Sequence, residues 1–257
     1  MDKNSTSYTV IFAAGVCLVC GAAVASAAVG LHSRQETNKI VDRKSKVLAA
    51  AGLLPENATA DLITKLYAER VVPQVYTLKS GQPAADIDAA TYSMQAEMKD
   101  PAHSQVAPPN AAQVARLPEH GVIYEIKDEG KTASLVLPVE GKGLWSTLYG
   151  FLALDKNTVD IKGLIFYQHG ETPGLGGEVD NPAWQALWDG RKAFDSSFTP
   201  KIQVIKGKAG APATDPYDVD GLSGATITSR GVTHLLQYWL GEQGFGPVLK
   251  GYRSNRK

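Results

Sequence analysis

Hydrophobic and polar positions follow three rhythms along this chain. From Tyr8 to Leu31 (YTVIFAAGVCLVCGAAVASAAVGL) no charged residue interrupts the apolar run, which exceeds the roughly 20 residues a helix needs to cross a bilayer. A cleaved leader has a shorter apolar stretch, about 7–15 residues, behind a positive start. The leader here, MDKNSTS, carries one Lys against one Asp, so residues 1–34 are expected to be a tail and retained membrane anchor. Helical spacing then takes over. QETNKIVDRKSKVLAAAGL predicts a helix stopped by Gly52, and Asn57 to Arg70 predicts a second, with Leu62, Ile63, Leu66 and Tyr67 on its stripe. VVPQVYTL predicts a strand and Ile87 to Lys99 another helix, whereas Pro101 to Pro118 is Pro- and Ala-rich without a period and predicts a linker.

After Gly121 the period shortens to that of strands. VIYEIKD, the turn EGK and SLVLPVEG predict a β-hairpin, LYGFLAL and VDIKGLIFYQ a second strand pair around DKN, and KIQVIKG a further strand. Val232, Leu235, Leu236, Trp239 and Leu240 then fall on one face of an amphipathic helix. The expected class is α+β: one transmembrane helix, a helix-rich part at 35–120, and a mixed α/β domain at 121–257 with an antiparallel sheet flanked by helices.

Composition narrows the partners. The 257 residues have zero formal net charge, which gives no basic face for nucleic acid. Arg34, Lys39, Arg43, Lys44 and Lys46 follow the apolar run while only Lys3 precedes it. That count alone would put the large domain in the cytoplasm, but long domains translocate regardless of it. Both cysteines, Cys17 and Cys20, lie in the apolar run, so a thiolate-ligated cluster in the remainder is excluded.

Two stretches carry candidate chemistry. DGLSGATITS (220–229) crowds hydroxyls just ahead of the last predicted helix. Thr226, Thr228 or Ser229 could cap that helix; alternatively, a hydroxyl beside Gly224 and Ala225 is sterically open, and the helix start offers free N–H groups to a phosphate. HGETPGLGGE (169–178) has four glycines that let a ligand approach the backbone, but neither the GK[ST] ending of a P-loop nor a GxGxxG order. A metal site at His169 and Glu171 lacks the HExxH pattern, and a hydrolase built on Ser223 lacks the GxSxG elbow.

Asp220-Gly-Leu-Ser223-Gly224-Ala225-Thr226 resembles the D-x-x-[ST]-G-A-[ST] signal at which a flavin transferase attaches FMN through a phosphoester bond. Its five constrained positions arise by chance in roughly one chain in a thousand of this length. HGETPGLGGE resembles the ETPGLG loop of the same FMN-binding domain family, and GKGLW (141–145) its opening segment. With its anchor and following helix, the whole chain resembles the C subunits of bacterial sodium-translocating NADH:quinone reductases. The G subunits of Rnf ferredoxin:NAD oxidoreductases are the near alternative, and a cofactor-free membrane-anchored binding or assembly protein is the alternative of another class.

The resemblance implies covalent FMN on Thr226, with Ser223, Gly224 and Ala225 as attachment context and Asp220 in the transferase signal. Thr172, Leu175 and Gly176 would border the flavin, Trp145 would pack near its ring, and an exposed apolar rim would keep the ring reachable. It further implies a single-pass bacterial inner-membrane protein with its FMN domain on the periplasmic side, in a complex of six subunits, the others being A, B, D, E and F. Electrons would pass from a membrane iron–sulfur centre to this FMN, then to the FMN of the B subunit, and finally to quinone.

Overall fold

The computed structural model describes residues 5–254; Lys3 of the charge count and the last three residues of the 121–257 segment lie outside them. The chain forms two compact units, Met1–Arg43 and Lys44–Lys257. Helix α1 (Thr6–Ala50) merges the predicted anchor and the helix after it, because neither Gly nor Pro stands between Leu31 and Gly52 to break the ladder. In the first unit its large apolar side chains, among them Phe12, Leu18 and Val29, are exposed, and the helix is long and apolar enough to cross a membrane. Gly52 ends it as predicted. At φ +71° it permits the paired bonds Leu53 N–H to Leu48 C=O (2.8 Å) and Gly52 N–H to Ala49 C=O (3.0 Å) that satisfy the last carbonyls.

In the second unit, α2 (Ala60–Arg70) is capped by Thr59, whose hydroxyl accepts from Leu62 N–H, and leads directly into β1 (Val71–Thr77). Helix α3 (Met94–Lys99) has six residues. The predicted helix from Ile87 loses its first part because Asp88 instead closes a turn, accepting from Ala90 N–H and Thr91 Oγ1. The expected linker holds two short antiparallel strands, β2 (Ser104–Val106) and β3 (Arg116–Pro118), pinned by the Arg116 guanidinium on Ser104.

Both predicted strand pairs form. Strands β4 (His120–Asp128), β5 (Lys131–Lys142), β6 (Thr147–Asp155) and β7 (Ile161–Gln168) make with β1 an antiparallel sheet of order β1-β4-β5-β6-β7. A division at residue 120 therefore runs between two adjacent strands of one sheet.

Strand β5 shows how that sheet is buried on both faces. Leu135, Leu137 and Val139 share the main core with Val232, Leu235, Leu236, Trp239 and Leu240 of α5 (Thr226–Leu240). The row Tyr124, Val136, Ala153 and Gly163 runs across four strands on the other face. There the last turn of α1 comes so close that a Cβ on Gly163 would lie 2.7 Å from the Ala50 carbonyl.

Beyond β7 come a short turn of helix α4 (Pro182–Gln185), the parallel pair β8 (Gln203–Val204) with β9 (Asp218–Val219), and α6 (Gly246–Ser254). The expected strand at 201–207 is thus cut to two residues, and α6 is additional.

One sheet edge is finished in an informative way. On β1, Val75 C=O accepts from Ala84 N–H and Thr77 N–H donates to Gln82 C=O, each at 2.9 Å. These groups point away from β4, so by the two-residue period Pro73 also presents its ring nitrogen outward. At that position it has no N–H to offer.

Candidate cofactor site

Three segments meet at the carboxylate of Glu171: the β5–β6 loop, the glycine-rich loop after β7, and the first turn of α5. One carboxylate oxygen accepts from the amides of Trp145 (2.9 Å) and Ser146 (3.1 Å) and, at 3.4 Å, from Ser146 Oγ. The other accepts from Leu144 N–H (3.2 Å) and from the hydroxyl of Thr228 (2.6 Å). Glu171 is buried. Burial pushes its carboxyl up, but the Thr228 hydroxyl and the Trp145, Ser146 and Leu144 amides outweigh it and hold the group below its ordinary value. It is an anion that accepts and does not readily take a proton.

The loop around it is clasped at both ends. His169 Nε2 meets Asp180 Oδ2 at 2.8 Å and Nδ1 accepts Glu171 N–H at 3.2 Å, which fixes the proton on Nε2. Inside, Thr172 C=O takes the amides of Leu175 and Gly177. Small residues let the segments approach: a Cβ on Gly176 would lie 2.6 Å from Thr228 Oγ1 and 2.8 Å from Glu171 Oε2, and one on Gly143 2.6 Å from Glu171 Oε1.

Thr226 is the first residue of α5 and is exposed. Ala225, buried, sits at the N-cap, and no side chain caps the helix. The expectation that Thr228 or Ser229 caps it is corrected: Thr228 is drawn to Glu171, and Ser229 Oγ accepts from Leu222 N–H at 3.1 Å in the preceding loop. The first turn keeps its positive end open to an anion.

Gly224, at φ +70°, turns the chain into α5 and brings its Cα beside Leu175, where an added Cβ would stand 2.9 Å from Leu175 Cδ2. Ser223 and Thr172 are exposed, and Gly176 is buried beneath Thr228. Asp220 is turned elsewhere: its Oδ1 accepts from Ala209 N–H (2.9 Å) and its carbonyl from Trp184 Nε1 (2.9 Å), bracing the approach to the motif.

Each of the three segments carries an exposed apolar side chain: Leu144 and Trp145, the latter 67% exposed, on the β5–β6 loop, Leu175 on the glycine-rich loop and Ile227 in the first turn of α5. These four are among only seven exposed large hydrophobic residues that the described part of the second unit shows, so exposed apolar surface is concentrated on the segments that gather at Glu171.

The rival chemistries fit less well. Both ring nitrogens of His169 are engaged, so it is not free to activate Ser223, and Glu171 turns its oxygens to Thr228 and amides, away from a shared metal position with His169. In the sequence Glu171 figures as a metal-ligand candidate and as the first residue of the ETPGLG loop, with no sign of the role it plays in joining the three segments. Its true partners lie 25–57 positions away, a distance at which spacing carries no signal.

Residues 143–241 match the model of a family described as an FMN-binding domain, a span that includes all three segments. The chain is 40% identical over 257 residues to the C subunit of the Na(+)-translocating NADH-quinone reductase of Yersinia pestis, covering 98% of this chain and 95% of that one. It is 42% identical over 258 residues to the C subunit of the Pseudomonas aeruginosa reductase, covering 98% of each. The crystal structure of Shewanella oneidensis NqrC aligns with a TM-score of 0.77 at 29% identity, over 86% of this chain and 99% of that one. With its apolar N-terminal helix, its antiparallel sheet and its FMN-binding domain, this chain belongs to the family of C subunits of the Na+-translocating NADH-quinone reductase, an oxidoreductase complex.

Proposed function

We propose that Thr226 carries FMN through a phosphoester bond and that the chain serves as an electron relay within the reductase complex. The observation that carries this is the exposed Thr226 hydroxyl at the first position of a helix whose N-terminus no side chain caps. A phosphate esterified there would lie against the open amides and the positive end of the 15-residue helix. Attachment requires an activated phosphorus. A P–Oγ1 bond forms as the pyrophosphate bond of FAD breaks, AMP leaves, and the hydroxyl proton passes to a base of the flavin transferase.

Bound FMN supplies one- and two-electron chemistry. The chain's part is to hold it: Leu175, Thr172 and Trp145 border the ring, and Gly224 lets the attachment turn close against Leu175. The exposed rim leaves a route for electrons from a membrane iron–sulfur centre in neighbouring subunits and onward to the FMN of the B subunit, then to quinone. In this reading α1 anchors the chain in the bacterial inner membrane with the FMN domain on the periplasmic side, where covalent attachment prevents loss of the flavin.

The test is co-expression with the flavin transferase. The denatured wild-type chain should fluoresce as flavin and gain the mass of one FMN ester, while Thr226→Ala and Thr226→Val, still folded, should lose both signals. A flavin-bearing T226A would overturn the assignment.

A further inference from the structure

We infer that Glu171 is the positioning residue of this modification site: through Thr228 it sets the first turn of α5 and thereby fixes where the Thr226 hydroxyl stands when the transferase acts. This rests on the reading of Thr226 as the acceptor.

The first turn of α5 needs such a hold. With no side-chain cap, its side-chain restraints from outside the helix are the Thr228 hydroxyl on Glu171 and Ser229 Oγ on the Leu222 amide. The former is charge-assisted and 2.6 Å long, the stronger class of hydrogen bond. Glu171 is an effective anchor because it is itself fixed. Three amides and the Ser146 hydroxyl hold its carboxylate, while His169, oriented by Asp180, holds its backbone amide. A continuous line therefore runs from Asp180 through His169, Glu171 and Thr228 to the turn bearing Thr226.

The same geometry argues against Glu171 as the base of the transfer. Its hydroxyl partner is Thr228, not Thr226, and five donors already occupy its oxygens. The carboxylate acts on position, and positional error at a reacting oxygen is costly: a displacement near 1 Å removes on the order of a hundredfold in rate.

The experiment uses the full-length chain made without transferase and held in detergent. Purified transferase and FAD are added, ester formation is followed by intact mass, and rates are normalised to folded protein by circular dichroism. Thr228→Ser, which keeps the hydroxyl, should retain the wild-type rate. Thr228→Val and Glu171→Gln should lower kcat for ester formation roughly tenfold, with KM for the protein acceptor little changed.

Wild-type rates per folded molecule in T228V and E171Q would overturn the inference, as would a T228S variant as slow as T228V. Failure of the underlying reading looks different: the wild type would gain no mass, or T226A would gain it.

Discussion

Glu171 and Glu140 are both carboxylates withdrawn from bulk water near the same β5–β6 loop, yet their surroundings drive them in opposite directions. Glu171 is met by five donors and is held below its ordinary pKa. Glu140, near the end of β5, lines a cavity of about 490 Å3 with Lys99, Arg116 and Tyr149; its backbone carbonyl accepts from Trp239 Nε1 at 2.7 Å, but burial and not hydrogen bonding dominates its carboxylate. Burial pushes its carboxyl up to about 7, against a smaller opposing pull from Lys99. The sign of the shift is decided by whether donors replace the lost water. A carboxylate that gathers donors holds segments together; one without them favours its neutral form and carries a free-energy penalty when charged.

The largest way to break this contrast is Glu171→Ala, which strands the amides and hydroxyl gathered on it. Chemical denaturation should show a loss of about 4 kcal/mol. Glu140 should respond in the reverse sense. Its folded pKa lies above the unfolded value near 4.5, so the folded state binds the extra proton and wild-type stability falls as pH rises from about 4.5 to 7. Relative to wild type, E140Q should therefore gain about 2–3 kcal/mol between pH 4.5 and pH 8; a pH-independent difference would refute the assignment.

Gly176→Ala tests the packing that lets donors reach Glu171, since its Cβ would press on both Thr228 and the carboxylate. A loss of about 2 kcal/mol is expected in a denaturation midpoint. Acid sharpens the comparison further. The depressed pKa of Glu171 contributes stability that is present above its unfolded value and lost as pH falls through the lower folded one, so the acid sensitivity of unfolding should diminish in E171Q. The smallest effect belongs to the rim: Trp145→Ala should change stability by less than about 0.5 kcal/mol in the same denaturation measurement.

The hairpin strands of the main sheet and helix α5 were legible because their signals are local. The alternation at 122–128 and 134–141 specified a hairpin, the stripe from Val232 specified α5, and Gly52 marked the stop of α1 through a backbone preference carried by one residue. The motif residues likewise marked the turn that opens α5, with Gly224 at φ +70° and Thr226 as the first helical residue. What sequence concealed is non-local. Thr228 looked like a cap because hydroxyls near helix starts usually bond to nearby amides, and only a carboxylate 57 positions away draws it off. Helix α3 was overextended because Asp88 offered the backbone a competing turn. Strands β2 and β3 were hidden because three-residue segments are too short to display a period and are held by Arg116 on Ser104.

Pro73 carries a consequence for how copies of this chain meet. The outer side of β1 is covered at one end by residues 82–84 and lacks a donor at Pro73, so a strand from a second copy finds no continuous ladder to extend. Exposed strand edges are the usual templates for intermolecular sheet growth. The cover over one end and the missing donor at Pro73 act together, so copies that meet along that edge find no uninterrupted row of backbone groups to pair with.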